Sequence, residues 1–144
     1  MERVAPLGGV YQAGTLSGNP LAVAAGIATL RALEKPGVYS RLEESGASLQ
    51  RGLADGAKSA GVPLTVNRVG SMLTAFFTDS SVTDYASAKA SDTARYGRFF
   101  HAMLDGGVFL AASQFEAAFI SLAHGPADLD EASGIARKAF ALAR

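Results

Sequence analysis

The spacing of apolar residues changes several times along this chain, and each change marks an expected element. Around residues 20 to 34 nearly every position is apolar or small, as in Leu21-Ala22-Val23-Ala24-Ala25-Gly26-Ile27-Ala28-Thr29-Leu30. Asn19-Pro20 supplies the start of a helix there: asparagine is a favoured N-cap, and proline at the first helical position lacks only an N–H that would be orphaned anyway. Pro36 and Gly37 end it. A helix that is apolar on every face requires neighbours all round. The next segment, about 38 to 60, behaves differently. It sets Val38, Leu42, Leu49, Leu53 and Ala57 at helical spacing, while Arg41, Glu43, Glu44, Arg51, Asp55 and Lys58 fall mostly off that stripe. This is the pattern of a surface helix, stopped by Gly61 and Pro63.

Beyond Pro63 the periodicity shortens. Residues 64–69 and 72–78 read as two strands around Gly70-Ser71, the second apolar enough to be central. Residues 79–91 carry no period and are expected to form a loop, after which Asp92 is a candidate helix cap. Tyr96, Phe99, Phe100, Met103 and Leu104 then occupy one face of a helix that breaks at Gly106-Gly107. Strands are expected at 108–111 and 117–122, followed by a last helix from about Asp128 that buries Leu129, Ile135, Ala136, Ala139 and Phe140. The order from residue 64 is strand, strand, helix, strand, strand, helix. It predicts an α+β unit with helices on one face of a mainly antiparallel sheet.

Composition narrows the possible partners. The 144 residues, 49% of them hydrophobic, suit one ordinary domain with a sizeable core. Thirteen basic residues balance thirteen acidic ones, so no net field draws the chain onto nucleic acid or an anionic membrane. The apolar run from 21 to 30 is shorter than the roughly 20 residues a membrane span needs. A polar, glycine-rich loop stands where a secretory signal would have its apolar region. The expected location is the cytosol. With no cysteine, a disulfide framework, a thiolate nucleophile and cysteine-ligated metal are excluded. His101 and His124 have no second histidine at ligand spacing, so no metal site is expected. The glycines at 8, 9, 14 and 18 match neither a dinucleotide fingerprint nor a Walker loop.

Two segments invite a chemical reading. Gly14-Thr15-Leu16-Ser17-Gly18-Asn19-Pro20 places hydroxyls and a flexible loop at a helix N-terminus, where free N–H groups and the positive end of the dipole favour a phosphate. The same residues also read simply as a loop with an N-cap. Ser113-Gln114-Phe115-Glu116 sets a carboxylate between two apolar runs. That glutamate is either at a turn tip in water or held for a purpose, because burying it unpaired is expensive.

Taken together, Val10-Tyr11-Gln12-Ala13-Gly14-Thr15-Leu16-Ser17-Gly18-Asn19-Pro20, Asn67-Arg68-Val69-Gly70-Ser71-Met72, Ser113-Gln114-Phe115-Glu116-Ala117 and Ser121-Leu122-Ala123-His124 resemble the glutamate-1-semialdehyde 2,1-aminomutases, a group within the class III aminotransferases. The resemblance runs over essentially the whole chain. Its first segment recurs in looser form across class III, and the one around Glu116 is more particular to the aminomutases. Where the family usually has proline, proline and glycine, this chain has Gly9, Ala112 and Ala118, changes of loop stiffness more than of chemistry.

The resemblance implies a homodimeric fold-type I enzyme of tetrapyrrole (porphyrin) synthesis. It uses pyridoxal 5'-phosphate and pyridoxamine 5'-phosphate to convert glutamate-1-semialdehyde to 5-aminolevulinate by moving an amino group between adjacent carbons. It places Gly14 and Thr15 at the phosphate of the partner subunit's cofactor and Glu116 on the substrate side. Transaminase relatives commonly carry an arginine there for a substrate carboxylate, and this chain has none between Arg98 and Arg137. By the same resemblance the chain corresponds to the C-terminal portion of the enzyme, with residues 1–61 ending the large domain and 62–144 forming the small one. The Schiff-base lysine is expected upstream, since Lys35, Lys58, Lys89 and Lys138 fall on polar helix faces, a helix end or a loop. The chain alone is therefore expected to be inactive. The alternatives are another class III aminotransferase, or a non-catalytic binding remnant of the fold.

Overall fold

A computed structural model describes residues 1–143. The chain divides into two compact units, residues 1–36 and Gly37 onward.

In the first unit, residues 1–19 form turns, with Val4 and Val10 joined by an isolated bridge. Helix α1 (Pro20–Leu33) follows. Its cap is the expected one: Asn19 Oδ1 accepts from the N–H groups of Leu21 at 3.1 Å and Ala22 at 3.2 Å. None of its residues is buried, and Leu21 and Leu30 are 80% and 62% exposed, so its own unit does not supply the neighbours its composition requires.

The second unit opens with α2 (Val38–Ala60), whose inward stripe is Val38, Leu42, Gly46, Leu53, Gly56, Ala57 and Ala60. Leu49 is half-buried. Gly61, at φ +68°, ends the helix in the left-handed conformation that glycine adopts without strain. A two-residue turn through Gly70 joins β1 (Thr65–Val69) to β2 (Met72–Phe76), with Val69 opposite Met72 and Thr65 opposite Phe76. Strand β3 (Ala118–Phe119) completes a three-stranded antiparallel sheet in the order β1-β2-β3.

Helix α2 approaches the β1–β2 turn closely: a Cβ added at Gly46 would lie 2.2 Å from the Gly70 carbonyl oxygen. Arg68 fastens the same corner. Its Nη2 meets Glu43 at 2.7 Å, its Nε donates to Gln50 Oε1 at 2.8 Å, and its Nη1 donates to the Gly70 carbonyl at 2.7 Å.

Between β2 and β3 lie α3 (Tyr85–Lys89) and α4 (Thr93–Asp105), and the chain ends in α5 (Pro126–Leu142), which packs against both α2 and α4. Phe77, Phe99 and Phe140 meet at the centre, with 4.4 Å between the ring centroids of Phe99 and Phe140 and 5.4 Å between those of Phe77 and Phe99. The predicted α+β class holds, with helices packed on a small antiparallel sheet.

Four expectations change. Residues 79–91 contain α3, held by a capping box in which Ser87 N–H donates to Asp84 Oδ1 at 2.8 Å and Asp84 N–H donates to Ser87 Oγ at 3.1 Å. Residues 108–111 are no strand, because the Val108 N–H turns back to the Met103 carbonyl, and Gly107, at φ +93°, closes α4 in a Schellman turn. The strand expected at 117–122 pairs only through Ala118 and Phe119. Helix α5 begins at Pro126 rather than Asp128, since Asp128 serves its entrance by accepting the Gly125 N–H at 2.7 Å. On the predicted faces Phe100 and Ile135 are half-buried, and Leu104 is exposed.

Candidate functional site

The two candidate segments lie in different units. In the first, the 14–18 loop is a pair of turns in which the Ser17 N–H donates to the Gly14 carbonyl and the Asn19 N–H to the Leu16 carbonyl, both at 3.0 Å. A Cβ on Gly14 would sit 2.8 Å from Ser17 Oγ, the end of an exposed side chain that can turn away. The helix's first free N–H groups, expected to face an anion, are occupied by Asn19. What the loop still offers is the positive end of α1 together with the exposed hydroxyls of Thr15 and Ser17, which have no partner among the described residues.

In the second unit, the 113–116 turn is closed by the Glu116 N–H, which donates to the Ser113 carbonyl at 3.3 Å, and by Phe115 N–H, which donates to Ser113 Oγ at 3.2 Å. Thr74 Oγ1 on β2 donates to the Glu116 carbonyl at 3.3 Å and ties the turn to the sheet. Glu116 itself is exposed, and its sequence neighbours Phe115 and Phe119 are 48% and 69% exposed, so no apolar shell encloses the carboxylate in this chain. Phe119 continues a strip across the sheet's outer face: it pairs with Met72, which pairs with Val69, and all three are exposed.

Behind the turn is a cavity of about 70 Å³, with Leu53, Phe99 and Met103 among its apolar walls and Thr74, Gln114 and Glu116 as its polar side chains. Gln114 is 2% exposed, and neither its Nε2 nor its Oε1 has a hydrogen-bond partner among the described residues. Tyr96, on α4, also lines the cavity and donates its hydroxyl to the Ala111 carbonyl. Burial raises the Tyr96 pKa above the ordinary value, and the nearby Glu116 charge raises it further. Gln114 and Tyr96 were not identified as site residues from the sequence. Gln114 stood inside the motif that singled out Glu116, and Tyr96 read only as part of the α4 core face.

The lysines and histidines lie as follows. Lys35, Lys58, Lys89 and Lys138 are all exposed. His124 Nδ1 accepts the Ser121 N–H at 3.0 Å in a local turn, and His101 stands edge-on to Phe100. No group of three potential metal ligands occurs among the described residues, nor does any helix there have the length and apolarity to cross a membrane.

Residues 1–124 match the family model "Aminotransferase class-III". Over 97% of its length the chain is 63% identical to a glutamate-1-semialdehyde 2,1-aminomutase of Myxococcus xanthus, of which it covers 32%. Its fold matches an omega-transaminase from Sphaerobacter thermophilus with a TM-score of 0.83 at 26% identity, over 97% of this chain and 32% of that one. The FumI protein of Sphingopyxis sp. MTA144, solved in its PLP form, matches with a TM-score of 0.70 at 27% identity, over 90% and 28%. The chain thus spans about a third of the length of the relatives it matches.

Proposed function

The chain belongs to the class-III aminotransferase family, and we propose that it is the C-terminal portion of a glutamate-1-semialdehyde 2,1-aminomutase, a cytosolic homodimer that forms 5-aminolevulinate for porphyrin synthesis. One observation carries this reading: identity to the Myxococcus aminomutase is 63%, against 26% to the Sphaerobacter transaminase, each over 97% of the chain. The absence of arginine between Arg98 and Arg137 favours the same side, because the substrate-facing loop then presents Glu116 instead of a carboxylate-binding cation.

The 14–18 loop fits the phosphate of pyridoxal or pyridoxamine phosphate. Its hydroxyls are exposed and unpartnered among the described residues, and the positive end of α1 lies at its end. In this reading Thr15 donates its hydroxyl to the phosphate of the partner subunit's cofactor, and the backbone at Gly14 approaches it. When bound, the cofactor supplies the nitrogen carrier and electron sink of the amino transfer. Glu116 pairs with an amine of the reacting molecule or exchanges a proton with it, and its mobility on an exposed turn is limited by the Ser113 and Thr74 hydrogen bonds. None of the four exposed lysines is assigned as the Schiff-base residue, so catalysis is assigned to the full-length protein and not to this chain alone. The division at 61 and 62 is part of the same proposal. In this chain by itself, α2 is part of the second unit and packs against α5, β1 and β2.

The test is complementation. A fusion of the N-terminal two-thirds of the Myxococcus relative to this chain should restore growth of a bacterium that requires 5-aminolevulinate, and the N-terminal portion alone should not. A well-expressed, folded fusion that binds cofactor but leaves the requirement in place would contradict the aminomutase reading.

A further inference from the structure

The second unit contains a buried polar group that packing alone does not explain. Gln114 is 2% exposed, yet its amide makes no hydrogen bond to the described residues. An amide carries two donors and two acceptor lone pairs, and leaving them all unmet in an apolar interior is costly. A leucine or methionine of similar volume would fill the same space without that cost. The amide also has a neighbour suited to complete it. The adjoining cavity of about 70 Å³ exceeds the roughly 10–15 Å³ that one water needs. Its apolar walls would leave most of it dry, but Gln114, Thr74 and Glu116 in its lining offer polar partners that can hold a water in place. Rotation about the last side-chain torsion of glutamine is soft and nearly two-fold, which lets the amide meet that space.

The consequence lies two residues away. Gln114 is the one fully buried residue of the 113–116 turn, where Phe115 and Glu116 are exposed and Ser113 is half-buried. Otherwise the turn is held by backbone and hydroxyl hydrogen bonds of 3.2 to 3.3 Å, at or just beyond the long end of the usual range. We propose that Gln114 is a positioning residue: hydrogen-bonded to water in this cavity, its amide pins the 113–116 turn to the core and fixes the direction in which Glu116 is presented. Its effect on a reaction rests on the aminomutase reading, but its effect on the turn does not.

Two measurements on the 144-residue chain test the turn itself. NMR cross-relaxation should detect long-lived water at the Gln114 side-chain amide, and an amide with no bound water, exchanging as freely as one on the surface, overturns the proposal. In Gln114→Leu the water should be lost, and backbone order parameters over 113–117 should fall from about 0.85 to below about 0.6, while those of α2 and α5 stay put. Unchanged order in that segment would show that Gln114 only packs. If the variant does not fold, the wild-type water measurement still decides. In the fusion with the Myxococcus N-terminal portion, Gln114→Leu should lower kcat about 10- to 100-fold with cofactor retention unchanged, as expected when a reacting group is misplaced rather than removed. A normal kcat contradicts the positioning role. A parent fusion without aminomutase activity contradicts the functional reading instead, so the two failures are distinguishable.

Discussion

At the residue scale, Thr15 and Glu116 should separate cofactor retention from turnover. In the full-length fusion, Thr15→Ala removes a hydroxyl hydrogen bond to a charged phosphate, a contact worth about 1.5 to 3 kcal/mol. Cofactor dissociation, followed by absorbance, should therefore become roughly 10- to 100-fold easier, and unchanged retention would remove Thr15 from the site. Glu116→Gln should instead lower kcat while leaving retention alone, because in the proposed role Glu116 meets the substrate and not the phosphate. Tyr96 makes a prediction about pH. Its pKa is raised in the folded state, first by burial and then by the Glu116 charge, so the native protein holds the phenol proton more tightly than the unfolded chain does. That contribution to stability is complete below the ordinary tyrosine value of about 10 and is lost as pH rises through the higher folded value. Thermal melts of Tyr96→Phe should accordingly show a shallower alkaline loss of Tm than the parent. Parallel curves above pH 10 would contradict the assignment.

Among the elements, α2 was fully legible in the sequence, because a strong stripe, a glycine before it and Gly61 after it all agree on its bounds. Invisible in that pattern was the reason for Gly46, which lies where α2 meets the β1–β2 turn. Gly46→Ala would press a methyl group against the Gly70 carbonyl, and overpacking of this kind costs about 1 to 3 kcal/mol. Urea unfolding should show that loss, whereas Gly97→Ala, on α4 with nothing within 4 Å of the added carbon, should not destabilise the chain. The short elements were read less well for physical reasons. Helix α3 has no buried residue and hence no apolar period, and its only mark is the Asp84 to Ser87 spacing of its cap. Val108, Phe109 and Leu110 have strand composition, but the Schellman closure of α4 takes the Val108 N–H before a ladder can use it. The candidate residues Thr15 and Glu116 were proposed from two motifs joined by resemblance. The buried amide of Gln114 and the anchoring of the turn by Thr74 depend on tertiary packing that no local spacing encodes.

For the whole molecule, the contrast between the two units decides behaviour. Unit two has a connected core around Phe77, Phe99 and Phe140, whereas α1 in unit one is apolar on every face with no buried residue. The chain should therefore self-associate in a concentration-dependent way, and amide exchange should be far faster in α1 than in β2. A monodisperse monomer with equal protection in both would contradict this. The reaction itself is decided most directly by the product that the purified fusion of the Myxococcus N-terminal portion with this chain forms. Supplied with cofactor and glutamate-1-semialdehyde, and with no other amino donor or acceptor, it should yield 5-aminolevulinate catalytically. A fusion that turns over only when a second amine and a keto acid are present, leaving no 5-aminolevulinate, would make this chain part of a transaminase and contradict the account.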